Sequence, residues 1–282
     1  LRVLPFKIPK PEFDALVYQE DKAVYFYDKL HQHEEIQVSF IITGSGTLIV
    51  GDTINDYKEG DVLVIGSNLP HVFKSEVIDN TKSHMMTLFF TEDAFGKTFF
   101  DLEELKDLQR FFKNSQNGFK TSDVSPTYAP LFFKLKSATK LERFIILLEI
   151  LKLLAMGKHI PLSSFVYKKQ YSAIEGKRMR DIMEYTMNNS HKNISLDNIA
   201  AVSSMTKNAF CKYFKKRTNK TYIRFLTELR IERSCKLLIS DEAYAIAEIA
   251  EKSGFNNISN FNRQFKTIKG ISPSLFRKSR TL

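Results

Sequence analysis

The chain has little of what a secreted or membrane protein requires. Two cysteines in 282 residues, Cys211 and Cys235, are too few for a disulfide framework and suit a reducing cytosol. No uninterrupted apolar run reaches the ~18 residues of a membrane span. The nearest, residues 141–156, is broken by Glu142, Arg143, Glu149 and Lys152. The opening LRVLPFKIPKPEF scatters Lys and Pro and has no apolar core, so no signal peptide is expected. A cytoplasmic protein with no membrane partner is the expectation. Acid is scarce in a single region. Residues 166–282 hold 23 Lys and Arg against 10 Asp and Glu, net +13, whereas the preceding 165 hold 19 against 22, net −3. The overall charge of +10 therefore belongs to the C-terminal region, as an electrostatic footprint for phosphate.

The length allows two domains, each able to bury its own core. Within the basic region a single pattern is written twice, as SLDNIAAVSSMTKNAFCKYFKK and as YAIAEIAEKSGFNNISNFNRQFKTIKGISP. Each copy has a short apolar helix with Ile-Ala, at Ile199-Ala200 and Ile249-Ala250. A tight break follows, then a helix with Phe at i and Phe-Lys at i+4: Phe210 with Phe214-Lys215, and Phe261 with Phe265-Lys266. Two helices across a short turn are a helix-turn-helix, whose second helix enters the major groove. Ser195 is the expected N-cap of the first scaffold helix, and Gly254 the expected C-terminal glycine of the second.

The paired phenylalanines must face inward. On the first recognition helix that leaves Thr206, Lys207, Asn208, Cys211 and Lys212 toward DNA, with Lys215, Lys216, Arg217 and Lys220 beyond them for phosphate. On the second it leaves Ile258, Ser259, Asn260, Asn262 and Arg263, with Lys266 one turn on. A helix from about Tyr222 to Ile239 joins the halves; at ~1.5 Å per residue it spans about 27 Å. With its flanks it brings the two recognition helices within reach of the roughly 34 Å repeat of B-DNA.

The run LRIERSCKLL (Leu229–Leu238), followed by IAEIAEKSGF, FNRQFK and GISPSLFR, resembles the DNA-binding domain of the AraC/XylS family of bacterial transcription regulators. Ser234 stands where that family has a small Ala, and Thr218-Asn219 replaces its usual Gly. The resemblance implies a double-stranded DNA partner, with base contacts best matched by Ser259, Asn260 and Arg263. It also implies roles of the kind those regulators have: activation through RNA polymerase, control by a small-molecule effector, and a homodimer.

Ahead of this domain, AVYFY, IQVSFIIT, TLIVG, DVLVI, HVFKS and MMTLFF are short apolar runs separated by turn residues, the spacing of an antiparallel barrel or sandwich. The order HQHEEIQ, GSGTLIVGD, YKEGDVLVIGSNLPHVF resembles the cupin barrel. Residues two apart on a strand share a face, so His31, His33 and Gln37 can point inward; the resemblance adds His71. Catalytic cupins place Glu where this chain has Gln37, and an amide is a poor ligand. Three readings stay open for these residues: effector lining, structural strand residues, or a metal site. Effector lining is the expectation, with no cofactor, metal or catalytic group.

Residues 1–22, with Pro5, Pro9 and Pro11, are expected as an extended arm. Residues 91–135 read as a short acidic helix and a loop with Pro126 and Pro130. Residues 137–155 read as a helix apolar around most of its circumference, so that one face meets the barrel and another a second subunit. HIPLSSFVYKKQYSAIEG reads as a linker. The expected architecture is multidomain α+β: a cupin-like antiparallel β-barrel regulatory domain (1–135), a dimerisation helix and linker (136–165), and an all-α double helix-turn-helix domain (166–282). The competing functions are a metal-dependent cupin enzyme fused to a DNA-binding tail, and a tether on DNA that senses nothing.

Overall fold

Strict alternation along the central strands sets the N-terminal architecture. On β2 (Ile36–Thr43), Ile36, Val38 and Phe40 face one way and Gln37, Ser39 and Ile41 the other, and residues 36–41 are all buried. A strand buried on both faces needs a cover on each. The computed structural model describes residues 14–76, 82–121, 126–166, 173–240 and 244–279, and the chain divides into two units, Leu1–Gly176 and Lys177–Leu282. In the first unit the strands are β1 (Leu16–Ala23), β2, β3 (Gly46–Val50), β4 (Thr53–Tyr57), β5 (Val62–Ile65), β6 (His71–Ser75), β7 (Ser83–Phe90), β8 (Phe119–Thr121) and β9 (His159–Pro161). They form a six-stranded sheet, β1-β7-β2-β5-β8-β9, and a three-stranded sheet, β4-β3-β6, antiparallel throughout.

The helices of this unit are α1 (Gln109–Ser115), reached through 3-10 turns at Phe99–Asp101 and Glu103–Leu108, α2 (Tyr128–Leu135) and α3 (Lys140–Met156). They cover the face of the large sheet bearing Val38, Phe40, Val64, Leu88 and Phe90, through Phe111, Phe132, Leu147, Ile150, Leu151 and Leu154. Its other face meets the small sheet through Ile41, Leu63 and Ile65 against Leu48, Val50, Tyr57 and Phe73. Full burial of each such side chain contributes about 1.5–3 kcal/mol. Thr139 and Glu142 close a reciprocal capping box at the start of α3.

Several expectations change here. The arm expected over residues 1–22 is, from Leu16 onward, strand β1 paired with β7; residues 1–13 lie outside the described residues. Most of β1 is only half-buried, so its apolar signal is weak. AVYFY is not a strand beyond Ala23: Tyr25 and Tyr27 are exposed and Phe26 alone plugs the inter-sheet core. The expected loop around Pro130 is helix α2, with Pro130 in the first turn, where a missing N–H removes no intrahelical bond. The start of the expected linker is strand β9, followed by buried Leu162 and by Ser163 and Ser164, which bond to the buried carboxylate of Asp52.

The second unit is helical, led by α4 (Ala173–Asn189) and continuing through α5 (Leu196–Val202), α6 (Lys207–Thr218), α7 (Tyr222–Ser240), α8 (Ile246–Lys252), α9 (Ile258–Lys269) and α10 (Pro273–Lys278). Met179, Ile182 and Met183 of α4 are buried, and Thr186 joins α4 to α7 through the Tyr222 hydroxyl at 3.0 Å. Helix α7 is common ground. Tyr222 and Phe225 pack on α6, while Ile231, Cys235 and Leu238 share a core with α8 and α9. Ser234, in place of a small apolar residue, is fully buried and donates to the Ile231 carbonyl of its own helix at 2.7 Å, so its hydroxyl is satisfied. No helix of the described residues is long and apolar enough to cross a membrane.

Candidate nucleic-acid interface and the cavity between the sheets

The two helix-turn-helix copies share one backbone device. After α5, Ser204 takes a left-handed conformation (φ 52°), with Ser204 N–H donating to Ala201 and Met205 N–H to Ala200. After α8, Gly254 does the same (φ 93°), with Gly254 N–H donating to Glu251 and Phe255 N–H to Ala250. This pair of bonds is the Schellman ending, which satisfies the last carbonyls of the scaffold helix while turning the chain. Each recognition helix is then capped by a polar side chain: Thr206 accepts from Ala209 N–H, and Asn257 from Asn260 N–H. Phe210 and Phe214 on α6, and Phe261 and Phe265 on α9, are completely buried. Their rings contact Tyr222 and Phe225 in the first copy, and Phe255 and Phe276 in the second. With those anchors inward, the opposite face of each helix is fixed outward.

That outward face carries most of the expected DNA-facing residues. Thr206 at the cap, Lys207, Asn208, Lys212, Lys215 and Lys216 are exposed, and Cys211 is half-buried. Ile258, Ser259, Asn260, Asn262, Arg263 and Lys266 are exposed. Asn260 accepts a 3.0 Å bond from the Arg263 guanidinium, so the two present a preformed pair. Lys207 is 3.4 Å from Asp197, an exposed contact. Two cations are placed differently from expectation. Lys220 is bound to the Glu228 carboxylate at 2.7 Å, which also takes Arg224 at 2.6 Å. Arg217 lies over the Tyr213 ring, 5.7 Å from its centroid, and is half-buried. Asn219, where the family has Gly, adopts φ 53° and ends α6; Asn tolerates that region better than most residues.

Between the two sheets of the first unit lies a cavity of 340 Å³, lined by Gln19 and Asp21 of β1, Tyr25 to Tyr27, His31, His33, Gln37, Phe73, Met85 and Phe89. His71 adjoins it. The three imidazoles come together: ring centroids are 4.1 Å apart for His31–His71, 5.1 Å for His33–His71 and 6.0 Å for His31–His33. Each Nδ1 meets a backbone carbonyl, of Lys29 for His31, Glu35 for His33 and Leu69 for His71, at 2.8–2.9 Å. A carbonyl only accepts, so a neutral ring carries its proton on Nδ1 and leaves Nε2 as an acceptor. Burial pushes His33 and His71 below the ordinary imidazole range, His71 further because His31 and His33 are beside it. Both are therefore neutral at pH 7.

The Gln37 amide lies 3.3 Å from His33 Nε2 and 2.9 Å from the Ser39 hydroxyl, which bonds Thr87 at 2.8 Å. With its proton on Nδ1, His33 meets the Gln37 oxygen acceptor to acceptor; turning the amide end for end removes that repulsion. His71 Nε2 gains nothing from such a turn: it is buried and has no hydrogen-bond partner. The cupin resemblance implies a metal here. Three imidazoles with ring nitrogens within 4.8 Å of one another fit one, although Gln37 supplies no carboxylate to complete the set. Asp21, whose carboxyl takes bonds from Gln19 at 2.8 and 3.0 Å, is pushed up by burial.

Residues 199–279 match the family model described as a helix-turn-helix domain. An HTH-type transcriptional regulator of Bacillus subtilis, YdeC, is 24% identical over 89% of this chain and 87% of its own length. The transcriptional activator AarP of Providencia stuartii is 29% identical over 45% of this chain and 90% of its own. The C-terminal region is an AraC-type helix-turn-helix domain, and the chain is a DNA-binding transcription regulator. Among solved structures, ToxT of Vibrio cholerae aligns with 95% of this chain and 98% of its own at a TM-score of 0.38 and 13% identity. In this regulator the lining residues Gln19 and Asp21 do not stand out in the sequence. Their only signal is the alternation of Val17, Gln19 and Asp21 against Leu16, Tyr18 and Glu20, which the charges obscure.

Proposed function

We propose that this DNA-binding transcription regulator is an activator controlled by a ligand in the inter-sheet cavity. The observation that carries the proposal is the pairing of two recognition helices, each anchored by buried phenylalanines, with a distinct unit that encloses a polar-lined cavity. In this reading Lys212 and Asn208 on α6, and Ser259, Asn260 and Arg263 on α9, meet base edges. Lys215, Lys216 and Lys266 meet phosphate, and Lys220 and Arg217 chiefly brace the fold. The effector lies against His31, His33 and Gln37, with His71 behind them. The protein works in the cytoplasm, where it engages RNA polymerase from its DNA site. The N-terminal unit is a sensor in this reading, because Gln37 stands where a catalytic cupin needs Glu.

The reading includes a homodimer. Leu147 and Leu151 of α3 are fully buried in their own unit and are not available to a partner. Leu141 and Ile145 remain as exposed apolar positions on α3, 68% and 48% accessible, with Met156 at the far end. Spaced i, i+4, Leu141 and Ile145 form a stripe that a second copy can cover.

The test is selection of binding sites by the whole chain from random DNA, followed by a screen of small molecules for altered affinity on the selected fragment. A selected consensus whose affinity changes with a ligand, and loses that response in His33→Ala, is the expected result. No enrichment of any sequence would overturn the reading. Sedimentation of Ile145→Asp against the parent tests the dimer, with a shift to monomer expected.

A further inference from the structure

A second cavity, of 450 Å³, opens where α1, β8 and β9 meet, and it shares no lining residue with the one between the sheets. Its volume is that of a small-molecule site. One wall is apolar: His159 of β9 stacks on buried Phe119 of β8, ring centroids 4.0 Å apart and planes 30° apart, with Pro161 further along the same strand. The polar lining is made of donors. Arg110 of α1 is exposed and has no ion pair among the described residues. Asn114 and Asn117 each commit one amide hydrogen, to His159 Nδ1 and to the Ser163 carbonyl, both at 3.2 Å, and keep the other. Burial, and behind it the Arg110 charge, hold His159 below the ordinary imidazole range, so the ring is neutral at pH 7. Among the described residues no Asp or Glu lines the cavity. The nearby Asp52 carboxylate is already met by the Ser163 and Ser164 hydroxyls. What remains is one permanent positive charge, two amide donors and an aromatic wall.

We propose that this second cavity binds a small organic monocarboxylate, its carboxylate on Arg110 and the Asn114 and Asn117 amides and its apolar body against Phe119, His159 and Pro161. The guanidinium fork matches a carboxylate with two parallel N–H···O bonds. One cation balances one anion. A phosphate or a dicarboxylate brings a second charge, which would meet only neutral donors and the Asp52 carboxylate behind the two serines. A neutral ligand would leave the guanidinium unmatched. The stacked rings favour a flat body over a round one, because ring faces pair best in offset stacks. Such a ligand would tie α1 to β9 and to the clasped residues Leu162 to Ser164 that follow it. All of its contacts belong to the first unit. The site goes beyond the function proposed above and does not rest on it.

The experiment is calorimetric titration of the whole chain with acetate, butyrate and phenylacetate, against phenylacetamide and inorganic phosphate. Expected is saturable binding of phenylacetate at millimolar concentration or below, tighter than acetate, with the amide and phosphate far weaker. Arg110→Gln, at an exposed position where the fold does not depend on it, should weaken phenylacetate by roughly 10–100-fold, the worth of charge-assisted hydrogen bonds. Arg110→Lys should recover part of that loss, since an ammonium keeps the charge and lacks the fork. His33→Ala, in the other cavity, should change nothing. The chain has six histidines, so imidazole signals in NMR spectra can be assigned by substitution. Phenylacetate should move those of His159 and leave His33 and His71 in place. No binding of any of the three acids overturns the proposal, as does equal binding of phenylacetamide or an affinity unchanged in Arg110→Gln. Phosphate bound more tightly than every acid overturns the ligand class. An acid that moves His33 and His71 instead of His159 overturns this site and supports the inter-sheet pocket.

Discussion

The two helix-turn-helix copies have the same skeleton and different surfaces. Both turn on a left-handed residue with the same two hydrogen bonds, and both bury two phenylalanines four apart. The first makes its turn with Ser204 and caps its scaffold helix with Ser195; the second uses Gly254 and starts after Ala245, which has no capping side chain. Outward, α6 carries Lys207, Lys212, Lys215 and Lys216, whereas α9 carries Arg263, Lys266 and Lys269, the last paired with Glu232 at 2.6 Å. A fold kept constant while the charge changes implies a division of labour. Under the proposed function the lysine-rich helix would add most of the attraction to phosphate to its own base contacts, and the helix with the Asn260–Arg263 pair would rely more on hydrogen-bond readout.

The largest expected effect breaks the skeleton of the second copy. A Cβ on Gly254 would lie 2.7 Å from the Ser190 carbonyl oxygen and 2.8 Å from Arg230 Nε, the two ends of a hydrogen bond that passes over the glycine. Gly254→Ala should cost about 2–3 kcal/mol, from positive φ together with that clash, read as a lowered denaturation midpoint. Next comes Arg263→Ala, which should weaken the selected site by roughly 1–3 kcal/mol and relax its consensus. Equal loss on random DNA would assign Arg263 to phosphate and erase the division between the helices. Lys216→Ala should act alike on all sequences and lower the log–log salt slope by about 0.9. Smallest is Ser204→Gly, which brings the first turn to the chemistry of the second and should stabilise by about 0.5–1 kcal/mol.

The helix-turn-helix copies were legible because their signals are local: Phe at i and i+4, Ile-Ala, and a capping or left-handed residue at the helix ends. Even Asn219, a departure from the family pattern, does what the expected glycine does. The N-terminal unit was legible where strands are fully buried, as in IQVSFIIT, and illegible at its edges. β1 is half-exposed and charged, while β8 and β9 are three residues each, too short for a period to register. The His cluster was legible as a set of residues. What it can do depended on where each Nδ1 points, which spacing does not encode.

Strand β9 has a bearing on where the regulatory unit can be cut. It is one of the two edge strands of the large sheet, and the three residues after it are clasped: Leu162 N–H donates to Gly118 at 2.9 Å, Asn55 reaches the Leu162 carbonyl at 3.2 Å, and Asp52 takes Ser163 and Ser164. A fragment ending at residue 158 would strip this cover and bare the edge of β8, whose open N–H and C=O groups invite pairing between molecules. A fragment ending at residue 166 keeps it. In hydrogen exchange the Leu162 amide should accordingly be protected with the sheet.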